Sequence, residues 1–197
     1  VATIGTMFFW RGLVNVCGQG FGESLVPVKE TFLFNVFVGR LGGIIPAQAL
    51  WMVALTAGFW LVLKRHRFGS HVLIVGDNEE SARMMGIRVN RVKTVVFMQM
   101  GLFAALAGIL ATLEVTYLWP SLGEGYLLRT LAAVFIGGTS VFGGVGTILG
   151  TFIGAVIIGS LEGGIVAMGL TGFWTQLIYG LIIVVSLSIY SYFRRRE

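Results

Sequence analysis

At 197 residues the chain has room for one domain, and 56% apolar against 12% charged residues exclude an ordinary soluble globule, which would lack polar surface to cover so oily an interior. The net charge of +5 is no nucleic-acid stripe, because the basic residues gather in residues 64–93 and in Arg194, Arg195 and Arg196, where they act as an orientation signal for a membrane protein. Cys17 is the single cysteine, which excludes an internal disulfide and a cysteine-ligated metal cluster and leaves it as a small, buried apolar residue.

The chain opens at Val1 in an apolar stretch, Val1 to Val16, that looks like the later part of a span, so the sequence is read as incomplete at its N-terminus. This opening has neither the basic start nor the cleavage site of a signal peptide. A helix rising about 1.5 Å per residue needs about 20 apolar residues to cross the hydrocarbon. Ala47 to Leu63, extended by Ile44 and Ile45, then Thr94 to Leu118, Val145 to Met168 and Phe173 to Phe193 meet that requirement. The fold class expected is therefore an all-α polytopic membrane protein with five to six membrane segments, residues 1–197 forming one transmembrane domain.

Residues 64–93 are the one long polar insert and carry seven of the fourteen Lys and Arg. With apolar segments on both sides, they read as a cytoplasmic loop. Within it, Gly76-Asp77-Asn78-Glu79-Glu80 opens a short helix. Asp77 is placed to accept a backbone N–H at the N-cap while Glu80 reaches back, and the acids sit at the positive end of the helix dipole. Gly86 stops it after about two and a half turns, too short to be stable alone. Ala82, Met85 and Ile87 are expected to pack into a partner surface. His66 and His71 read as solvated loop residues.

Leu127 to Ile136 is about half a span if its helix stops at Gly137, the start of the turn Gly137-Gly138-Thr139-Ser140-Val141-Phe142-Gly143-Gly144. If residues 64–93 and the Arg194 to Arg196 tail are both cytoplasmic, an even number of crossings separates them. The half-span and its turn must then return the chain, as a broken helix whose free backbone is satisfied by protein or a water-filled cavity. In the next helix Gly146, Gly150 and Gly154 recur every four residues, continued by Gly159 and Gly163, a stripe for close helix packing within one subunit or at a subunit seam. Glu114, Arg129 and Glu162 come to a similar depth in or beside spans. They line an outer vestibule for a polyhydroxylated solute, or Arg129 pairs with one of the acids, or the acids snorkel to the headgroups. Trp10, Trp51, Trp60, Trp119 and Trp174 fall mostly near span ends, as interfacial anchors do.

Residues 76–87, with Thr3-Ile4-Gly5-Thr6-Met7, Arg11-Gly12, residues 104–108, residues 131–140 and residues 143–147, resemble the permease subunits of bacterial ABC importers of the ribose, xylose and fructose class. The resemblance implies the C-terminal part of a larger permease of about ten spans in the inner membrane, with residues 76–87 as the coupling segment and the coupling loop and C-terminus cytoplasmic. It implies a second permease, as a homodimer or a related pair, two cytoplasmic ATP-binding subunits and an extracytoplasmic sugar-binding protein as partners, with lipid around the spans and no nucleic acid. Many relatives carry Asn where Glu162 stands.

No glycine precedes Lys29, Lys64 or Lys93, so a phosphate-binding loop is absent and the chain is expected to be no enzyme and to bind no cofactor or metal; ATP and Mg belong to the ATPase partner. His66 and His71 both lie in the polar loop, which disfavours an intramembrane Ser/His pair. The runner-up functions are a related importer permease for branched-chain amino acids or nucleosides, or a secondary transporter.

Overall fold

The computed structural model describes residues 2–43, 45–141, 143–169 and 172–194; of the residues singled out above, Val1, Ile44, Phe142, Arg195 and Arg196 lie outside the described residues. In chain order the elements are α1 (Ala2–Cys17), β1 (Glu23–Ser24), a 3-10 turn (Val26–Glu30), α2 (Phe32–Phe37), β2 (Arg40–Leu41), β3 (Ile45–Pro46), α3 (Ala47–Arg65), α4 (Arg67–Asp77), α5 (Glu79–Met84), α6 (Val89–Val115), β4 (Tyr117–Leu118), α7 (Tyr126–Ile136), α8 (Ile148–Ala167) and α9 (Gly172–Arg194). The strands are two residues each, so the chain is all-α in substance. α3, α6 and α8, of 19, 27 and 20 residues, are long and apolar enough to cross a bilayer. α9 runs 23 residues over the last expected span. α7 has 11 residues, about 16 Å of helix, roughly half of the hydrocarbon thickness.

The chain divides into two compact units, residues 1–53 with 99–124 and residues 54–98 with 125–197, the divisions falling within α3 and α6. In the first unit β1 pairs antiparallel with β4, Glu23 opposite Leu118 and Ser24 opposite Tyr117. The Leu25 N–H donates to the Thr116 carbonyl at 2.9 Å, which holds Thr116 at φ +55°, a region a β-branched residue seldom enters. β2 and β3 pair as a second two-residue ladder. The start of α3 is anchored by Trp51, whose ring stacks on Phe37 at 5.7 Å and whose indole N–H donates to the Val36 carbonyl at 3.1 Å. An ion pair joins Arg11 of α1 to Glu124. Cys17, expected to be buried, is exposed at the end of α1.

One buried cluster of the second unit lies where α7, α8 and α9 meet: Ala132, Ala133, Ile158 and Tyr179 are buried, with Ile136, Ile182 and Ile183 packed around them. The small-residue stripe makes the α7–α8 approach. A Cβ on Gly154 would stand 2.1 Å from the Ala133 carbonyl oxygen, and one on Gly150 would stand 2.1 Å from that of Gly137. Gly146 does not belong to the helical stripe. α8 starts at Ile148, with Thr147 as its cap accepting the Gly150 N–H at 3.2 Å, so Gly146 lies ahead of the helix against Thr139. Gly159 and Gly163 have no neighbour within 4 Å of an added Cβ.

This packing sets a contrast between glycines of one helix. Gly154→Ala drives a methyl into backbone and is expected to cost about 1–3 kcal/mol, whereas Gly159→Ala should be neutral or slightly stabilising through helix propensity. Thermal unfolding in detergent checks both; equal melting temperatures would contradict the packing.

Candidate functional site

The polar insert folds into two helices, not one. α4 was not anticipated, although Phe68, Val72 and Val75 stand at i, i+4 and i+7, the spacing of a helical face. Its place inside an insert rich in basic residues masked that periodicity. His66 is no free loop residue: its Nδ1 accepts the Phe68 N–H at 3.1 Å and caps α4, while His71 is half-buried on that helix.

α5 carries the cap one residue later than expected. Asp77 is still helical, as the last residue of α4, and only Asn78 has the extended backbone that lets a side chain fold over the next turn. Asn78 Oδ1 accepts the N–H groups of Glu80 at 2.9 Å and Ser81 at 3.0 Å. The Glu80 reach-back is replaced by an ion pair between Glu79 and Lys93 of α6. Gly86 does end the helix, at φ +78°, with Ile87 N–H on the Ala82 carbonyl and Gly86 N–H on that of Arg83, both 3.0 Å, a paired closure that favours glycine.

The faces of α5 are also redistributed. Ala82 is fully buried with Val75, Val89 and Val92, and Ile87 packs on the same cluster, so neither is offered outward. A six-residue helix cannot hold itself, and this cluster ties it to α4 and α6. Met85 remains exposed, as expected, and Met84, which the sequence reading passed over, is 80% exposed beside it.

The corner between α4 and α5 touches the glycine-rich turn. A Cβ on Gly143 would stand 2.0 Å from the Gly76 carbonyl oxygen, and one on Gly144 would stand 2.7 Å from Asp77 Oδ1. Both glycines have positive φ, +91° and +73°. Side chains there would be strained and would also separate the two backbones. Beside the contact, a cleft of about 330 Å³ runs between Leu73, Gly76, Ser140, Gly144 and Thr151. The turn and the candidate coupling segment are thus neighbours although over sixty residues separate them in sequence.

Of the three charges, two meet. Arg129 of α7 and Glu162 of α8 form an ion pair at 2.5 Å, and the Tyr179 hydroxyl of α9 donates to Glu162 at 3.4 Å. Their side chains keep 36% and 29% of their surface open. Glu114 lies in the first unit and accepts the Gln48 amide at 3.3 Å. That unit also has a cavity of about 590 Å³ walled by Leu13, Cys17, Gln19, Glu23 and Trp119. Among the described residues, no group of three or more His, Cys, Asp or Glu is placed to hold a metal ion.

Long apolar helices, a half-length helix closed by a glycine turn and a short capped helix between basic flanks are the architecture of a multi-pass membrane protein. The chain belongs to the family described as branched-chain amino acid transport system / permease component, whose model matches residues 1–187. It is 37% identical over 189 residues to the ribose import permease protein RbsC of Bacillus subtilis (strain 168), covering 94% of this chain and 57% of that protein. It is 35% identical over 191 residues to RbsC of Escherichia coli (strain K12), covering 96% and 59%, and 34% identical over 185 residues to the autoinducer 2 import system permease protein LsrC of Klebsiella pneumoniae, covering 93% and 52%. The chain therefore spans a little over half the length of these relatives. No solved structure matches it significantly.

Two outcomes test the geometry of α5. Asn78→Ala leaves two N–H groups without their acceptor and should cost about 1 kcal/mol of local stability, read as faster amide exchange at Glu80 and Ser81. The hydrogen bond and charge of Lys93 hold the Glu79 carboxyl below its ordinary pKa. A depressed pKa in the folded state stabilises above the unfolded glutamate range and is lost as pH falls through the lowered value. Exchange at α5, corrected for intrinsic rates, should accelerate over that acidic window in the native chain and show no such step in Lys93→Gln.

Proposed function

We propose that the chain is part of the permease subunit of an ATP-binding cassette importer, forming the path of a monosaccharide across the bacterial inner membrane. Similarity to two ribose permeases and an autoinducer 2 permease supports a sugar-like solute over an amino acid or nucleoside. The 64–93 segment and the C-terminus face the cytoplasm on this reading, consistent with the basic excess at both. The partners are two ATP-binding subunits, a second permease copy and an extracytoplasmic sugar-binding protein. The chain itself is no enzyme: ATP and Mg are held by the ATPase, which supplies the work.

The observation that carries the reading is the backbone contact between the α4–α5 corner and the Gly143–Gly144 turn. Met84 and Met85 form the exposed end of α5 that an ATPase cleft would grip, a flexible apolar tip suited to a moving surface. Ala82 and Ile87, buried beneath, make α5 move with α4 and not on its own. Because Gly76 and Asp77 abut the turn, displacement of α4 passes to the end of α7 and the start of α8. α7 and α8 are locked together by Gly150 and Gly154, so they shift as a pair. That shift alternates access to the path.

Arg129 and Glu162 are proposed to line the path, their open surface meeting sugar hydroxyls while each neutralises the other's charge at membrane depth. Glu114, which accepts the Gln48 amide, is proposed as a further pathway residue.

In the assembled transporter, Gly143→Ala should leave basal ATP hydrolysis in place but lower sugar uptake at least about tenfold, since the added methyl forces the two backbones apart. Normal uptake in that variant would refute transmission through the turn. Arg129→Gln and Glu162→Gln should each reduce uptake with membrane insertion unchanged, read by transport of labelled sugar into vesicles; unaltered uptake in both removes them from the path.

A further inference from the structure

We propose that the cleft at the start of α6 is a binding site for the phosphate headgroup and upper acyl chain of an anionic phospholipid. The cleft, about 430 Å³, has a polar side, its lip, made by His71 of α4 with Arg88 and Arg91, and an apolar wall of Phe68, Val92 and Val95, with the end of α5 at Met85 also lining it. Among the described residues, no acidic side chain lines it. Lys93 is neutralised by Glu79, but among the described residues Arg88 and Arg91 make no ion pair, so two guanidinium groups face one opening without a counter-charge. Guanidinium groups bind phosphate oxygens in paired, charge-assisted hydrogen bonds, and the N-terminal end of α6 adds positive potential.

Depth decides between a lipid and a dissolved anion. After Lys93, α6 carries no ionisable residue until Glu114, so it enters the hydrocarbon within a turn of Arg91 and sets the lip at the water boundary. The apolar half of the cleft then continues along the exposed side of α6 from Val95, which keeps 40% of its surface open, into the region of the acyl chains. A free phosphate would use the lip and leave that wall bare, while a phospholipid fills both. Basic pockets at helix ends on a membrane face are suited to anionic headgroups. The site rests on α6 crossing the membrane and not on which solute is carried.

The test uses the full-length permease, purified in mild detergent, with native mass spectrometry counting retained phosphatidylglycerol and phosphatidylethanolamine. The double variant Arg88→Gln, Arg91→Gln should retain phosphatidylglycerol about tenfold less, with phosphatidylethanolamine unchanged, while Arg88→Lys, Arg91→Lys recovers much of it and shows that the loss is not misfolding. Val95→Trp, which obstructs the apolar half, should lower phosphatidylglycerol without altering competition by inorganic phosphate. Undiminished phosphatidylglycerol in the Gln variant overturns the proposal. So does phosphate competing as tightly as lipid with Val95→Trp inert, which marks a plain anion site, and so does complete loss of lipid when the ATPase assembles, which marks a protein face. Sugar uptake is measured separately, so failure of transport and absence of the lipid site remain distinguishable.

Discussion

Hydrocarbon offers no partner to a free N–H or C=O, and α7, at 11 residues, is only about half as long as a helix that crosses it. The residues that follow must close their own hydrogen bonds. Thr139 N–H reaches the Val134 carbonyl at 3.2 Å, Ser140 N–H reaches that of Val145 at 2.9 Å, and Val145 N–H reaches that of Gly143 at 2.9 Å. A turn closed this tightly demands left-handed backbone at Gly138, Gly143 and Gly144, and the missing side chains let other backbone come close. From that one constraint follow the seating of α8 on α7 and the contact with the α4–α5 corner.

The same economy of side chains governs α5. Six residues supply too few hydrogen bonds to offset the entropy of helix formation, so its stability is borrowed from Asn78, from the glycine closure at Gly86 and from Ala82 set among Val75, Val89 and Val92. The last of these ties it to α4 and α6. A handle of that kind transmits force where a long independent helix would bend or slide, which is why the proposed coupling route runs through backbone contacts and not through flexible side chains. The two methionines left outside the cluster are then free to meet a partner.

Particular residues show where reading the chain succeeds. The four long apolar segments reappear as α3, α6, α8 and α9, and Leu127 to Ile136 as α7, because unbroken apolar runs near span length have few other ways to satisfy their backbone in lipid. Gly86 was legible as a stop since left-handed backbone there favours glycine. Asp77 and Asn78 both suit the role of cap, and the sequence pointed to Asp77 where the structure uses Asn78, because only the extent of α4 decides which has extended backbone. α4 itself was hidden by the polar insert around it, and β1, α2, β2 and β3 lie in a stretch with no clear period. Cys17 was misplaced because residue type predicts burial only on average.

By itself, the sequence determined that this is a membrane-spanning helical chain, where its long helices run, that one helix is half-length, and which family it joins, since apolar length, glycine placement and motif order are all local along the chain. Tertiary structure alone decided that Arg129 meets Glu162, that Ala82 turns inward while Met84 and Met85 turn out, and that Gly143 and Gly144 touch Gly76 and Asp77. Those pairings depend on how helices far apart in sequence rotate and approach one another. Rotation and approach are set by packing between surfaces, which no single stretch of residues encodes.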